Sequence, residues 1–181
     1  MDKPPVSSPS DGIQRFHFSD WVPFPVEPVF LFFANPENLP RIMPPSTGTR
    51  IDALRLVAPS SQAAGLSQPV AGVGSEVVTS FRVVPFLGVR ATWIARITEF
   101  EWNHRFADIQ VEGPFRTWRH RHELQAEVRN GVTGTMVNDV IECQVGFGFV
   151  GAAALRLVLG PQIASTFKYR QRVLPRLLAE K

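Results

Sequence analysis

The sequence holds a single cysteine, Cys143, and this excludes an internal disulfide framework. No cysteine–histidine group has zinc-ligand spacing, so no metal is expected. A Gly-x-Ser-x-Gly nucleophile elbow is also missing. The most apolar late stretch, residues 147–164, is broken by Arg156 and by Gly160-Pro161. It is also short of the roughly 20 residues that a membrane-spanning helix needs. The opening MDKPPVSSPSDG has no apolar centre of the signal-peptide kind. Charge is sparse at 19% of residues with a formal net of +3. The arginines are spread along the chain, where a nucleic-acid binder concentrates them on one face. Together these absences predict a soluble protein of a reducing, cytoplasmic compartment, with no nucleic-acid partner, no transmembrane segment and no cofactor.

What the chain does have is apolar bulk. Of its 181 residues 44% are hydrophobic and 14 are phenylalanine, which predicts one domain with an aromatic-rich core or pocket. Residues 1–14, rich in proline and serine, read as a flexible tail preceding a domain over 15–181. Phe16, Phe18 and Trp21 mark a first strand. Helical spacing of Val26, Val29, Phe30 and Phe33 then predicts a short helix over 26–34. Asn35-Pro36-Glu37 has the order of cap, first-turn proline and acidic residue, so a second helix is expected over 36–42. Six strands are expected over 49–57, 75–84, 89–100, 105–111 and the two arms of a hairpin around Asn130-Gly131. Residues 58–74 lack any period and read as a long flexible loop. Helical patterning returns after Gly148, with Gly160-Pro161 expected to kink it or divide it into 150–159 and 162–179. Strands and helices are segregated, which indicates α+β with a curved antiparallel sheet around a long final helix.

The hairpin carries the most chemistry. Asn-Gly between alternating arms favours a two-residue turn, and that turn sets the register. Arg129 then faces Val132, placing Leu124 opposite Val137, His122 opposite Asp139, His120 opposite Ile141 and Trp118 opposite Cys143. This face is apolar apart from His120, His122 and Asp139, so it is expected to point inward. The other face pairs Arg119 with Glu142 and Glu123 with Asn138. A carboxylate beside an imidazole orients the ring and supports acid/base chemistry. A buried pair that merely satisfies itself would leave the same pattern. Two histidines on one strand, with Asp139, form a poor metal set, because a single strand seldom supplies enough ligands.

In the final helix Ile163, Phe167, Leu174, Leu177 and Leu178 share one face and Lys168, Arg172 and Arg176 the opposite one. Arg170 falls inside the apolar sector. It must there pair with an inward carboxylate such as Asp139, bind an acidic ligand group, or reach out to solvent. Trp93 shares a strand face with Ala95 and Ile97 and is a further candidate for the pocket wall. Cys143, without a cationic neighbour in sequence, reads as an inert buried thiol.

Three stretches carry a family resemblance. PFPVEPVFLFFANPENLPRIMPP is similar to a strand followed by two short helices. GPFRTWRHRHEL with GTMVNDVIEC, and FKYRQRVL in the last helix, are similar to Trp-x-His-x-His, Gly-Thr with a following Asp, and Phe-x-Tyr-Arg. On these the chain resembles the SRPBCC superfamily: the helix-grip fold of START domains, birch-pollen-allergen-like proteins and polyketide cyclases. Two departures stand out, a longer 58–74 loop and prolines 161 and 175 interrupting a helix that is often continuous. The resemblance implies binding or transport of a small hydrophobic ligand, lipid-like or aromatic, in a cavity between sheet and last helix. Trp93, Trp118 and Phe167 are the apolar candidates, and His120, His122, Asp139 and Arg170 the polar ones. The alternatives are a cofactor-independent cyclase or dehydrase using His120, His122 and Asp139, and an interaction module using the basic face of the last helix.

Overall fold

The computed structural model describes residues 13–59, 68–82, 90–146 and 159–180. The expected tail over 1–14 lies almost wholly outside them, as does the expected helix over 150–159. The first strand, β1 (Gln14–Val22), leads into α1 (Val26–Ala34), a 3₁₀ turn at Pro36–Asn38, α2 (Leu39–Ile42) and a second 3₁₀ turn at Pro45–Thr47. Six strands follow: β2 (Arg50–Arg55), β3 (Glu76–Arg82), β4 (Arg90–Glu101), β5 (Arg105–Glu112), β6 (Thr117–Arg129) and β7 (Val132–Gln144). The chain closes on α3 (Gly160–Ala179).

Residues 26–34 are helical as their spacing predicts, with Val29, Phe30, Phe32 and Ala34 buried. The helix expected over 36–42 is split. Pro40 has no N–H to donate back to Pro36, and the Pro36 carbonyl is taken instead by the Leu39 N–H, closing a 3₁₀ turn. Asn35 does cap this turn, its side chain accepting from the Glu37 N–H at 3.0 Å.

Among the described residues seven strands form one antiparallel sheet in the order β1-β7-β6-β5-β4-β3-β2. Register shifts in the β2/β3 and β4/β5 pairings insert extra residues, the device by which a strand bends and a sheet curls. Because β1 pairs with β7, the first strand is brought beside the hairpin, and its alternation turns Phe16, Phe18, Asp20 and Val22 to the inner face.

Helix α3 packs against that face. Phe167 stacks on Phe18 with ring centroids 3.9 Å apart. Leu174 and Leu178 join Val22, Val29, Phe30, Leu124 and Val137 in the main core. Ile141, Cys143 and Phe167 form a second cluster with Phe16, Phe18 and Trp118. Pro161 sits in the first turn of the described helix, where its missing N–H costs nothing, and the helix expected before it lies almost wholly outside the described residues. Pro175 does not end the described helix. The helix continues to Ala179, held down beyond the proline by the buried Leu178.

The 58–74 segment is only partly open to description, since 60–67 lie outside the described residues. Its described end, residues 68–74, is tied to the body of the protein. Val70 and Ala71 are buried against α1, and Ala71, Gly72 and Gly74 donate main-chain hydrogen bonds to Ala34, Val57 and Ile97. Two apolar residues are too few to show a period in sequence, yet enough to pin the chain. The architecture is the α+β helix-grip fold.

Candidate functional site

The Asn130-Gly131 turn has the two positive φ angles, 51° and 78°, that a type I′ hairpin turn requires. The resulting register pairs His122 with Asp139, His120 with Ile141, Trp118 with Cys143 and Leu124 with Val137, as the turn predicts. His122, Leu124, Val137, Asp139, Ile141 and Cys143 are buried, so this face does point inward. On the outer face Arg119 contacts Glu142 only at 4.0 Å. Its close partner is Glu99 on β4, while Arg15 takes Glu142 at 2.7 Å.

Asp139 is the centre of the inner face. Its side chain is fully buried, and its Oδ2 accepts from Nη2 of Arg170, a side chain only 5% exposed. Its Oδ1 lies 2.9 Å from His120 Nε2 in a hydrogen bond. His122 Nδ1 also approaches Oδ1, to 2.7 Å, but obliquely enough that Nδ1 has no well-directed partner. Burial works against the charge on Asp139, yet Arg170 first and the two imidazoles next hold its carboxyl well below the ordinary value. Removing one member of such a pair strands a buried charge at a cost of about 3–5 kcal/mol. The guanidinium of Arg170 also lies over the rings of Phe167 and Phe33, at 4.5 and 5.2 Å.

The two histidines differ in surroundings. His122 is stacked on Phe106 at 4.3 Å and tilted against Phe33 at 5.6 Å. Burial, reinforced by His120, lowers it to about 4, so its ring is neutral at physiological pH. His120 lies nearer to solvent, with 16% of its side chain exposed, and its Nδ1 is 3.9 Å from Asp108 Oδ2.

Asp108 and Asp20 were not among the residues expected here. Asp108 is the cross-strand neighbour of His120 on β5. Burial pushes it up to about 6, against the pull of His120. Asp20 comes from β1. Burial raises it as well, against the pull of Arg170, and its Oδ2 is buried without a hydrogen-bond partner. The alternation Phe16-Phe18-Asp20-Val22 already puts Asp20 on the buried face of its strand, a signal present in the sequence. Asp108 required the β5/β6 pairing, which no short turn specifies.

Residues 22–172 match the family model described as polyketide cyclase/dehydrase and lipid transport. The chain belongs to this family. No curated protein matches it in sequence. Among solved structures it is similar to TTHA0849 from Thermus thermophilus, at 16% identity and TM-score 0.61, over 93% of this chain and 100% of that one. It is similar also to a START superfamily protein from Mycobacterium smegmatis, at 13% and 0.58 over 92% and 97%. Ara h 8.0201 is similar at 9% and 0.59 over 94% and 100%. At these identities the likeness establishes the fold.

Within this polyketide cyclase/dehydrase and lipid transport family member, aromatic rings continue the inner face beyond His120. Trp118 lies 6.4 Å from His120 and meets Trp93 edge-on at 4.9 Å, with Phe115 against both. The structure thus joins His120, His122, Asp139, Arg170 and Phe167 in one cluster and sets Trp93 and Trp118 beside it. Lys168, Arg172 and Arg176 lie on the exposed side of α3. No described helix is long and apolar enough to cross a membrane.

Proposed function

We propose that the protein binds or carries a small hydrophobic molecule, lipid-like or aromatic, between the inner sheet face and α3. Trp93, Trp118 and Phe167 supply apolar contact, and His120 with Asp108 hold a polar group of the ligand. Asp139, Arg170 and His122 form the buried foundation that orients His120. The observation that carries this reading is a gradient of exposure. Asp139 and Arg170 are sealed at 0% and 5% of their side chains, whereas Asp108 and His120 above them each keep 16% and adjoin a cluster of rings. Polar groups reachable at the edge of an aromatic surface are the usual make-up of a small-molecule site.

Native mass spectrometry and solvent extraction of the purified protein test it, together with titration of tryptophan fluorescence by fatty acids and polycyclic aromatics. A co-purifying molecule or a saturable response is expected, and Trp118→Ala weakens that binding about tenfold or more. Protein that is empty on extraction and unresponsive to the whole panel overturns the reading.

A second reading, cofactor-independent cyclase or dehydrase chemistry, is favoured by one further observation. Asp108 is pushed up to about 6 while Asp139 is held low, with His120 between them. Carboxyls driven apart in this way suit proton donation and acceptance near neutrality. Under this reading His120→Ala abolishes turnover of a polyketide-like substrate while leaving its affinity within a few-fold. Equal loss of both favours a binding role alone.

A further inference from the structure

We propose that Asp108, His120 and His122 form a site for one divalent transition-metal ion of the zinc or ferrous class, with Asp139 as the outer carboxylate that orients the imidazoles. One donor atom from each of the three residues lies within 4.8 Å of the others. Sequence spacing on β6 alone argues against a metal, because one strand offers two histidines and no third ligand. The sheet removes that objection: β5 pairs with β6 so that Asp108 stands directly across from His120, and His122 follows two residues along on the same face.

The approach of the two rings to Asp139 assigns the nitrogens. His120 directs Nε2 to Asp139, which leaves Nδ1 turned toward Asp108 at 3.9 Å. His122 sets Nδ1 2.7 Å from Asp139 Oδ1, though not as a well-directed hydrogen bond, and this placement leaves Nε2 as its ligand atom. An imidazole that gives one nitrogen to a carboxylate and the other to a metal is the usual arrangement around protein-bound zinc. Here one carboxylate lies against both rings, hydrogen-bonded to His120 and 2.7 Å from His122 Nδ1, and Arg170 neutralises it, so Asp139 is engaged on every side. Asp108 is different. Among the described residues its one ion-pair partner is His120, and its carboxylate is the anionic donor left for a cation.

Two imidazole nitrogens and one carboxylate oxygen form a set that suits zinc or ferrous iron and leaves coordination positions for water or a ligand oxygen. Around an ion with bonds of about 2.1 Å the donors stand about 3–3.5 Å apart. The Asp108–His120 gap therefore has to narrow by less than an ångström, within reach of side-chain rotation. Both side chains retain some solvent exposure, which provides an entry path.

The test uses the full chain, treated with a chelator and dialysed, then titrated calorimetrically with Zn²⁺ and spectroscopically with Co²⁺. One ion per chain is expected, with sub-micromolar zinc affinity and visible Co²⁺ bands of a nitrogen/oxygen site. Asp108→Asn, His120→Gln and His122→Gln each weaken zinc binding about tenfold or more, whereas His17→Gln and His104→Gln, at exposed histidines, leave it unchanged. Should the site variants fold poorly by circular dichroism, paramagnetically shifted signals from two imidazole rings in the Co²⁺-loaded wild type serve in their place. Wild-type protein without saturable 1:1 uptake overturns the proposal, as does binding that survives Asp108→Asn and His120→Gln undiminished. No organic ligand enters these titrations, so their outcome is separate from that of the extraction and fluorescence experiments.

Discussion

Asp20 shows how much a single inward carboxyl can weigh on this fold. It follows Phe16 and Phe18 on the buried face of β1, and its Oδ2 has no partner there. Burial, opposed by the nearby Arg170, raises its pKa above the usual value. A carboxyl raised on folding stabilises the native state fully below its unfolded pKa, about 3.9, and that contribution is lost as pH rises through the folded value. Ionised Asp20 therefore weakens the protein at neutral pH. Asp20→Asn keeps the shape and removes the charge. Its melting temperature relative to wild type is expected to be higher at pH 7 and to show much less difference at pH 3. A shift of the same size at both pH values would mean that the charge is not what matters. Arg170 explains why β1 tolerates such a residue, since its guanidinium is shared between the Asp139 pair and the field at Asp20.

Among the elements, the β6/β7 hairpin was the most legible from sequence, because Asn130-Gly131 determines its register without reference to anything distant. Gly131 has φ of 78°, and nothing lies within 4 Å of where its Cβ would be. Gly131→Ala consequently adds no clash, only the backbone cost of a left-handed residue, about 1–2 kcal/mol. Denaturant unfolding should show that loss with an unchanged slope. Gly134→Ala is the contrast, since its Cβ would meet the Trp21 ring at 2.4 Å and the Val22 carbonyl oxygen at 2.5 Å. An equal or smaller loss at Gly134 would contradict the packing of β1 on β7. The same reasoning shows why other parts were harder to read. Strands β5 and β6 are joined through Gly113-Pro114-Phe115-Arg116, which is no two-residue turn, and β4/β5 contains two register shifts. Alternation could place Asp108 on a strand face but could not say that His120 lies across from it. Arg170 was legible as an anomaly in an apolar sector, whereas the choice among its possible partners needed the fold.

At the scale of the whole molecule, the first strand, the hairpin and the last helix meet only in the finished fold, and the candidate site lies where they meet. Phe18 comes from β1, Asp139 from β7, and Phe167 and Arg170 from α3. Stability and site geometry therefore both depend on how α3 sits on the sheet. Leu174 is fully buried among Val22, Phe30 and Val137, so Leu174→Ala removes core volume at a cost of about 2–5 kcal/mol. Arg172, two residues earlier, points outward and rests beside the Tyr169 ring at 5.4 Å. Arg172→Ala is expected to change stability by no more than about 0.5 kcal/mol. If α3 were instead a detachable arm presenting its basic face to a partner, the two substitutions would cost about the same. Chemical denaturation of both variants distinguishes these cases. A large loss at Leu174 with none at Arg172 means that α3 is an integral part of the core that holds Arg170 against Asp139, and not a detachable arm.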